Sequence, residues 1–426
     1  MTRLNTGMIA NFSSLPYVPS CPLNEAVETQ HLEHIEDLMF KDLDNGISNS
    51  MLLLTNIVKS LASKTPPAKM VITTKWDGAP AIVAGKHPSN GKFFVALKHA
   101  TTSKNPKINF SQKDIKENHG DNQDLSSKLS ACLEYLPAVL PATGVYQGDL
   151  LFVGNSKKDM EIGGVKHIVF RPNTILYAIP SETPLGKKVA AAKMGIIFHT
   201  VYTGKGSTLQ ELSKGTLASL DGFKQTTNVW FSAATLPAPP SGKTFITSTD
   251  SEQIVALMKL MKPMTTKVKS FLKIVEKSHK ADIFNELMPF INSGVRAGIS
   301  KYDSSRLKTH IASKYDAAIA KLKQESTKAT KQKAKMSALK FIDAYAAQFE
   351  QMFQLHSLIS EAKLIIIKRL SEVKTIGTYL PTNKGIKATN PEGFVAVCGD
   401  TCQMIKLVDR IEFARANFNL AKDWKL

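Results

Sequence analysis

The sequence predicts an α+β protein in which a mostly helical, basic block is inserted before the last strands. Three observations lead there. From residue 70 to about 205, short β-rich runs alternate with Gly, Asn and Pro punctuation. From Ser251 to about Lys374, apolar residues recur every three or four positions, the period of a helix with one buried face. After residue 386 the chain returns to short β-rich runs.

Taken in order, residues 1–30 hold Pro16, Pro19 and Pro22 among polar residues and read as an irregular arm. Leu32, Ile35, Leu38 and Met39, then Leu52, Leu53, Ile57 and Leu61, keep helical spacing on either side of Asn45-Gly46. Two helices are expected there, so residues 1–69 form an N-terminal arm and helices. Within 70–250, strands are expected at Val71-Ile72, Ala81-Ile82-Val83, Phe93 to Leu97, Val145 to Val153, Ile168 to Phe170, Thr174 to Ile179 and Gly195 to Val201. One helix around Leu125 to Leu136 interrupts them. Residues 205–250 look like a linker, clearest at Leu236-Pro237-Ala238-Pro239-Pro240-Ser241-Gly242. The helical block spans 251–385, with stripes such as Ile254, Leu257, Met258, Met261 and Leu339, Ile342, Tyr345, Phe349, Phe353. In 386–426, Gly393 to Val397 and Gln403 to Val408 flank Gly399-Asp400, a hairpin signal.

The 426 residues suffice for two or three cores, and 43% hydrophobic with 21% charged residues is ordinary for a globular protein. No apolar run approaches the ~20 residues of a membrane helix, and the start lacks the apolar core of a secretory signal. Cys21, Cys132, Cys398 and Cys402 are too few and scattered for a disulfide framework, so buried or free thiols in a reducing cytoplasm are expected. The net charge of +19 points to a polyanionic partner, nucleic acid first. Between 251 and 374, 23 Lys and Arg against 11 Asp and Glu carry +12 of that charge.

Chemistry centres on Lys75-Trp76-Asp77-Gly78-Ala79-Pro80, which follows the strand-like Met70 to Thr74. A lysine at a strand end, an acid two residues on and then a glycine can present an amine to a bound phosphate. An ordinary lysine, with a pKa of about 10.4, costs about 4.6 kcal/mol to neutralise at pH 7. Neighbouring cations and desolvation can supply that, and a nucleotide with its metal brings the cations. Read alone, Asp-Gly is also a common exposed turn.

Four more segments follow. Val145 to Phe152 sets Gly148-Asp149 inside an apolar strand, where a buried carboxylate needs a metal or a hydroxyl for a partner. Thr174 to Ile179 carries one aromatic, Tyr177, which could lie against a purine. Glu392-Gly393 opens a strand, and Lys406 sits between apolar neighbours, where a buried anion would satisfy it.

In this order the motifs resemble the covalent nucleotidyltransferase superfamily of ATP-dependent polynucleotide ligases and mRNA capping enzymes. The chain also resembles ligase-like proteins of large tailed phages around His31 to Asp37 and Thr73 to Pro80, which implies a host cytoplasm. The resemblance implies a ligase-type nucleotidyltransferase domain of two packed antiparallel sheets. It implies ATP and Mg²⁺ as cofactors, with catalytic roles for Lys75, Asp77 and Lys406. Thr73, Gly78, Lys98, Tyr177 and Glu392 would contact the nucleotide, and Asp149 with Glu392 would hold the metal. Nucleic-acid ends would be the acceptors. Departures are an Asp at 149 where Glu is common, a closing motif with one lysine, and over 200 residues between Tyr177 and Glu392. Only 16 residues follow Arg410, so a C-terminal OB-fold does not fit and an RNA-ligase-like enzyme is favoured. The alternatives are a capping-type or protein-modifying nucleotidyltransferase, or an inactive nucleic-acid-binding relative.

Other features read as structural. Lys328, Lys331 and Lys335 share a helical stripe, best taken as a solvated surface. His199 reads as a hydrogen-bonded strand histidine, and Trp230-Phe231 as core. His31 and His34 lack a third ligand for a metal.

Overall fold

The computed structural model describes residues 32–63, 70–204, 206–212, 215–236, 243–373, 376–382, 385–398 and 403–414. The expected N-terminal arm, residues 237–242 of the linker and the Gly399-Asp400 turn lie outside the described residues. The chain opens with β1 (Glu33–His34), a 3-10 turn at Ile35–Asp37, α1 (Leu38–Lys41) and α2 (Gly46–Ala62). A β-carbon on Gly46 would lie 2.0 Å from Leu38 O, so only glycine lets α2 start directly against α1.

Then come β2 (Met70–Lys75), β3 (Ala81–Lys86), β4 (Phe93–Leu97), α3 (Gln112–His119), α4 (Gln123–Tyr135) and β5 (Val145–Val153). They are followed by β6 (Lys157–Ile162), β7 (Val165–Phe170), β8 (Leu176–Pro180), α5 (Pro184–Ala191), β9 (Met194–Tyr202), β10 (Thr216–Leu217) and β11 (Val229–Ala233). Helices α6 (Ser248–Met261), α7 (Thr265–His279), α8 (Asn285–Arg296), α9 (Ser304–Ala320), α10 (Glu325–Ala344) and α11 (Ala346–Ser371) come next. Strands β12 (Gly377–Thr382), β13 (Gly385–Ala388), β14 (Gly393–Cys398) and β15 (Gln403–Leu407) follow them. Local chemistry sets several boundaries. Ser111 with Asp114, and Thr247 with Asp250, form reciprocal caps at the starts of α3 and α6. Gly163 and Gly164, both at positive φ, turn β6 into β7.

The fold is α+β as expected, but the sheets differ from the expectation. Among the described residues, three sheets form where two antiparallel ones were expected. One has the order β1-β15-β14-β2, a second β10-β9-β5-β3-β4 with β11 on β9, and a third β13-β12-β8-β7-β6. Two pairings, β1 with β15 and β11 with β9, are parallel. Strand β12 falls within the 251–385 stretch expected to be helical, and β13 begins at its last residue. Alternating polarity marks a strand without naming its partner, so pairings between distant strands are not readable from period alone.

The six-stranded sheet is packed on both faces. Ile82, Val95, Leu150 and Ile196 meet Leu129, Cys132 and Leu136 of the α4 region on one side. Phe152 and Ile197 meet Phe170, Tyr177 and Ile179 of the third sheet on the other. Trp230 and Phe231 are buried in these layers, as expected. Burial pushes the Cys132 thiol up to about 12, which makes it inert. The helical block is not a separate body. Ile254, Phe271, Ile291, Phe349, Ile359 and Ile366 share one core with Leu53 and Ile57 of α2 and with Ile72, Phe394 and Ile405 of the first sheet. The Lys328–Lys331–Lys335 stripe lies at the surface as expected, with Lys331 exposed, and makes local contacts there. Lys335 pairs with Asp316 at 2.6 Å, Lys328 with Glu325 at 2.6 Å, and Lys331 lies over the Tyr315 ring.

A buried ionic network ties that core together. Lys363 of α11 reaches Glu36 at 2.5 Å, and both side chains are 1% exposed. Arg410 holds both oxygens of Asp37 (3.0 and 2.8 Å), and His356 Nε2 lies 3.0 Å from the same carboxylate. His34 lies beside them, with Nδ1 buried and unpartnered among the described residues. Burial, with the charges of Lys363 and Arg410 against those of Glu36 and Asp37, pulls the His34 pKa down to about 3. A histidine neutral in the fold and protonated at about 6.5 when unfolded contributes stability above pH 6.5 that is lost as pH falls toward 3. The urea midpoint should therefore drop between pH 7.5 and 5, and His34→Gln should flatten that slope. An unchanged slope in the variant would refute the assignment. Asp37 and Glu36, both held below the usual carboxylate range, act in the same direction at pH below about 4.

Candidate active site at the seam of two sheets

The first sheet has two unlike faces. Residues directly opposite one another share a face, so the pairs Thr73–Val395 and Val395–Lys406 put Thr73 and Lys406 on one side, with Lys75 two residues on. The other side carries Ile72, Phe394, Ala396 and Ile405 into the helical core. The polar face lies against the six-stranded sheet, because the 76–80 loop leads from β2 into β3 and bonds to the inner strand β5. Ala79 N donates to Leu150 O (2.9 Å) and Leu150 N to Pro80 O (3.1 Å). A β-carbon on Gly78 would sit 2.6 Å from Asp149 Cβ, so glycine is what lets the loop lie against β5.

At this seam Lys75 forms an ion pair with Glu392, their side chains 28% and 14% exposed. Gly393, next to that acid, pairs directly with Lys75 and has φ +153; a β-carbon there would lie 2.5 Å from Leu407 O. Burial above all, with Asp77 and Asp149 nearby, raises the Glu392 pKa against the opposing charge of Lys75. Burial and then the Lys75 charge hold the Lys406 amine below the ordinary lysine range. Asp149, 22% exposed, lies across the seam with Oδ1 3.8 Å from His199 Nε2. The structure thus brings together Lys75, Gly78, Asp149, Glu392 and Lys406 from four separate stretches of chain.

Three expected site residues have other roles. Asp77, expected to be catalytic, is a buried latch. Its carboxylate accepts from Asn173 Nδ2 (2.7 Å), Thr174 N (2.6 Å) and Ile175 N (2.7 Å), while its own N–H donates to the Tyr177 hydroxyl (2.8 Å). Burial raises its pKa despite these donors. Asp77→Ala should leave buried N–H groups unpaired at about 1–3 kcal/mol for each orphaned group, read as a lower urea midpoint. A midpoint within experimental error of the parent would exclude the latch. Tyr177 was expected to stack on a base. Its ring is 2% exposed and packs against Trp76 and Phe170, at centroid distances of 5.1 and 5.5 Å, so it props up the 76–80 loop instead. Thr73, expected to touch the nucleotide, is buried, and its hydroxyl donates to Val395 O at 3.4 Å. Lys98 is exposed and leaves β4 just after Leu97, the partner of Ile82, so it lies at the sheet end that carries Ala81 and Asp149. Glu392 was given both nucleotide and metal roles; its engagement with Lys75 leaves Asp149 as the carboxylate open to a metal.

Sequence reasoning missed the facing of Asp149 and His199. A register shift between Gln147 and Gly148 in the β5–β9 pairing sets it up, and the glycine inside an apolar strand is the signal that could have announced it. His199 Nδ1 lies 2.7 Å from Thr200 Oγ1, which orients the ring. Among the described residues no group of three or more His, Cys, Asp or Glu gathers to hold a metal alone. A metal here would complete its shell with phosphates and water, as Mg²⁺ commonly does. An open groove of about 1240 Å³ between α3–α4 and the β5–β6 turn shares no residue with this seam.

The chain is an α+β protein in which two lysines and two carboxylates gather where two sheets meet. The chain belongs to a family of unknown function (DUF6267), matched over residues 28–422. Neither a curated protein nor a solved structure matches it. Among the described residues no helix is long and apolar enough to cross a membrane.

Proposed function

We propose that the protein is an ATP-dependent nucleotidyltransferase that carries AMP on Lys75 and delivers it to a nucleic-acid end, as an RNA-type polynucleotide ligase does. The observation behind this reading is that Lys75, Asp149, Glu392 and Lys406 meet at one seam. A merely solvated strand-end lysine would not need a half-buried carboxylate and a second amine beside it.

In the resting state Lys75 Nζ is paired with the Glu392 carboxylate. That acid, raised in pKa by burial, is the group placed to take the proton. The freed lone pair forms an N–P bond to the α-phosphorus of ATP as the P–O bond to pyrophosphate breaks, and pyrophosphate leaves with the electron pair. Lys406 stands where it would neutralise the α-phosphate oxygens. In the second step an acceptor phosphate oxygen attacks the same phosphorus, the N–P bond breaks, and Lys75 regains the two protons lost in forming the phosphoramidate, one from Glu392 and one from solvent. Asp149 would hold a Mg²⁺, which would shield the phosphate charges, with Glu392 free to join only once its pair with Lys75 opens. The chain's net charge of +19 supports a polyanionic acceptor.

Incubation with α-labelled ATP, and separately GTP, in the presence of Mg²⁺ should leave label on the protein in a denaturing gel. Offering 5′-phosphorylated RNA, nicked duplexes and diphosphate-ended RNA then shows which acceptor discharges it. No label with either nucleotide would overturn the reading in favour of a binding protein.

A further inference from the structure

From the geometry around Asp149 we infer that His199 is a second protein ligand of the metal at this site, so that the site takes a first-row transition cation such as Mn²⁺ in preference to Mg²⁺. The inference rests on the reading of Asp149 as the metal carboxylate and adds a nitrogen donor to it. Asp149 and His199 project from adjacent strands of one sheet, 22% and 27% exposed, so both are half-sheltered and reachable. Their facing atoms are 3.8 Å apart, too far for a hydrogen bond. Two ligands of one ion at about 2.1 Å each stand roughly 3 to 4.2 Å apart, so the gap accommodates a cation. Thr200 Oγ1, 2.7 Å from His199 Nδ1, can accept the Nδ1 proton and leave the Nε2 lone pair aimed at Asp149. A partner on the far ring nitrogen is the usual support of a metal-binding histidine. A pure oxygen site suits Mg²⁺, whereas an imidazole nitrogen shifts affinity toward the first-row transition ions, of which Mn²⁺ gains least and is therefore the most demanding probe.

The test uses the full-length protein with metal alone. Mn²⁺ binding followed by electron paramagnetic resonance, with Mg²⁺ as competitor, should show Mn²⁺ bound at least tenfold more tightly. Pulsed spectra of bound Mn²⁺ should carry nitrogen coupling from an imidazole. His199→Ala and His199→Gln should both lose that coupling and weaken Mn²⁺ at least tenfold, with Mg²⁺ changing less than threefold. Asp149→Asn should weaken both ions. Equal affinity for the two ions, absence of Mn²⁺ binding, absence of nitrogen coupling in the parent, or coupling that persists in a folded His199 variant would each overturn the inference. None of these readouts needs nucleotide or turnover. Failure here therefore leaves Lys75 labelling to be judged separately, and failed labelling leaves the metal result standing.

Discussion

Lys75→Arg should fold like the parent yet take up no label from α-labelled ATP, a loss of at least a thousandfold. Arginine keeps a positive charge against Glu392, so the pair at the seam survives. Its guanidinium stays protonated in proteins and offers no lone pair for attack. Lys75→Ala should be equally unlabelled but somewhat less stable, because it strands a carboxylate that is 14% exposed. The raised pKa of Glu392 lets it take up a proton, which limits that cost. The two variants together separate loss of the nucleophile from loss of the fold. Label retained on either one would place the nucleotide on another residue and end the proposal for Lys75.

Lys363→Ala should destabilise the protein by about 3–5 kcal/mol, read as a large drop in the urea midpoint. The reason is Glu36, which is 0% exposed and would keep its charge in the core without its cation. Glu36 could escape by protonation, but Asp37, Arg410, His356 and His34 form one network around it, so its loss would not stay local. Replacing both partners with apolar residues of similar volume, as in the double variant Lys363→Met with Glu36→Met, should recover most of the loss, since desolvation then disappears along with attraction. A single variant costing less than about 1 kcal/mol would show that water reaches the pair. Arg410 lies three residues beyond β15, and His34 pairs with Lys406 across β1 and β15. The network therefore anchors the strand that carries Lys406 to helix α11.

Much of this was legible in the chain. Short apolar runs marked most strands, and the three-to-four spacing marked helices α6 to α11. Lys75, Asp149, Glu392 and Lys406 stood out because each is a charge set at the end or the centre of an apolar strand, where burial demands a partner. Lys363 is legible in the same terms. It sits four residues after Ile359 and four before Ile367, on the buried stripe of α11, where a lone lysine announces a hidden acid. Strand β6 escaped because its residues Lys157 to Ile162 are only partly covered and show little apolar signal.

Residue order alone sets the α+β class, the place of most strands and of helices α6 to α11, and the small set of charged residues that burial forces to find partners. Only the tertiary structure decided which partner each one has. Asp77, expected to be catalytic, and Tyr177, expected to contact the nucleotide, are instead props of the 76–80 loop, and the strand residue His199 is a neighbour of Asp149. The physical reason is that polarity and period are properties of neighbouring residues, whereas a side chain's partner depends on strand register. A shift of one residue between distant strands turns a side chain from one face to the other while leaving local polarity unchanged.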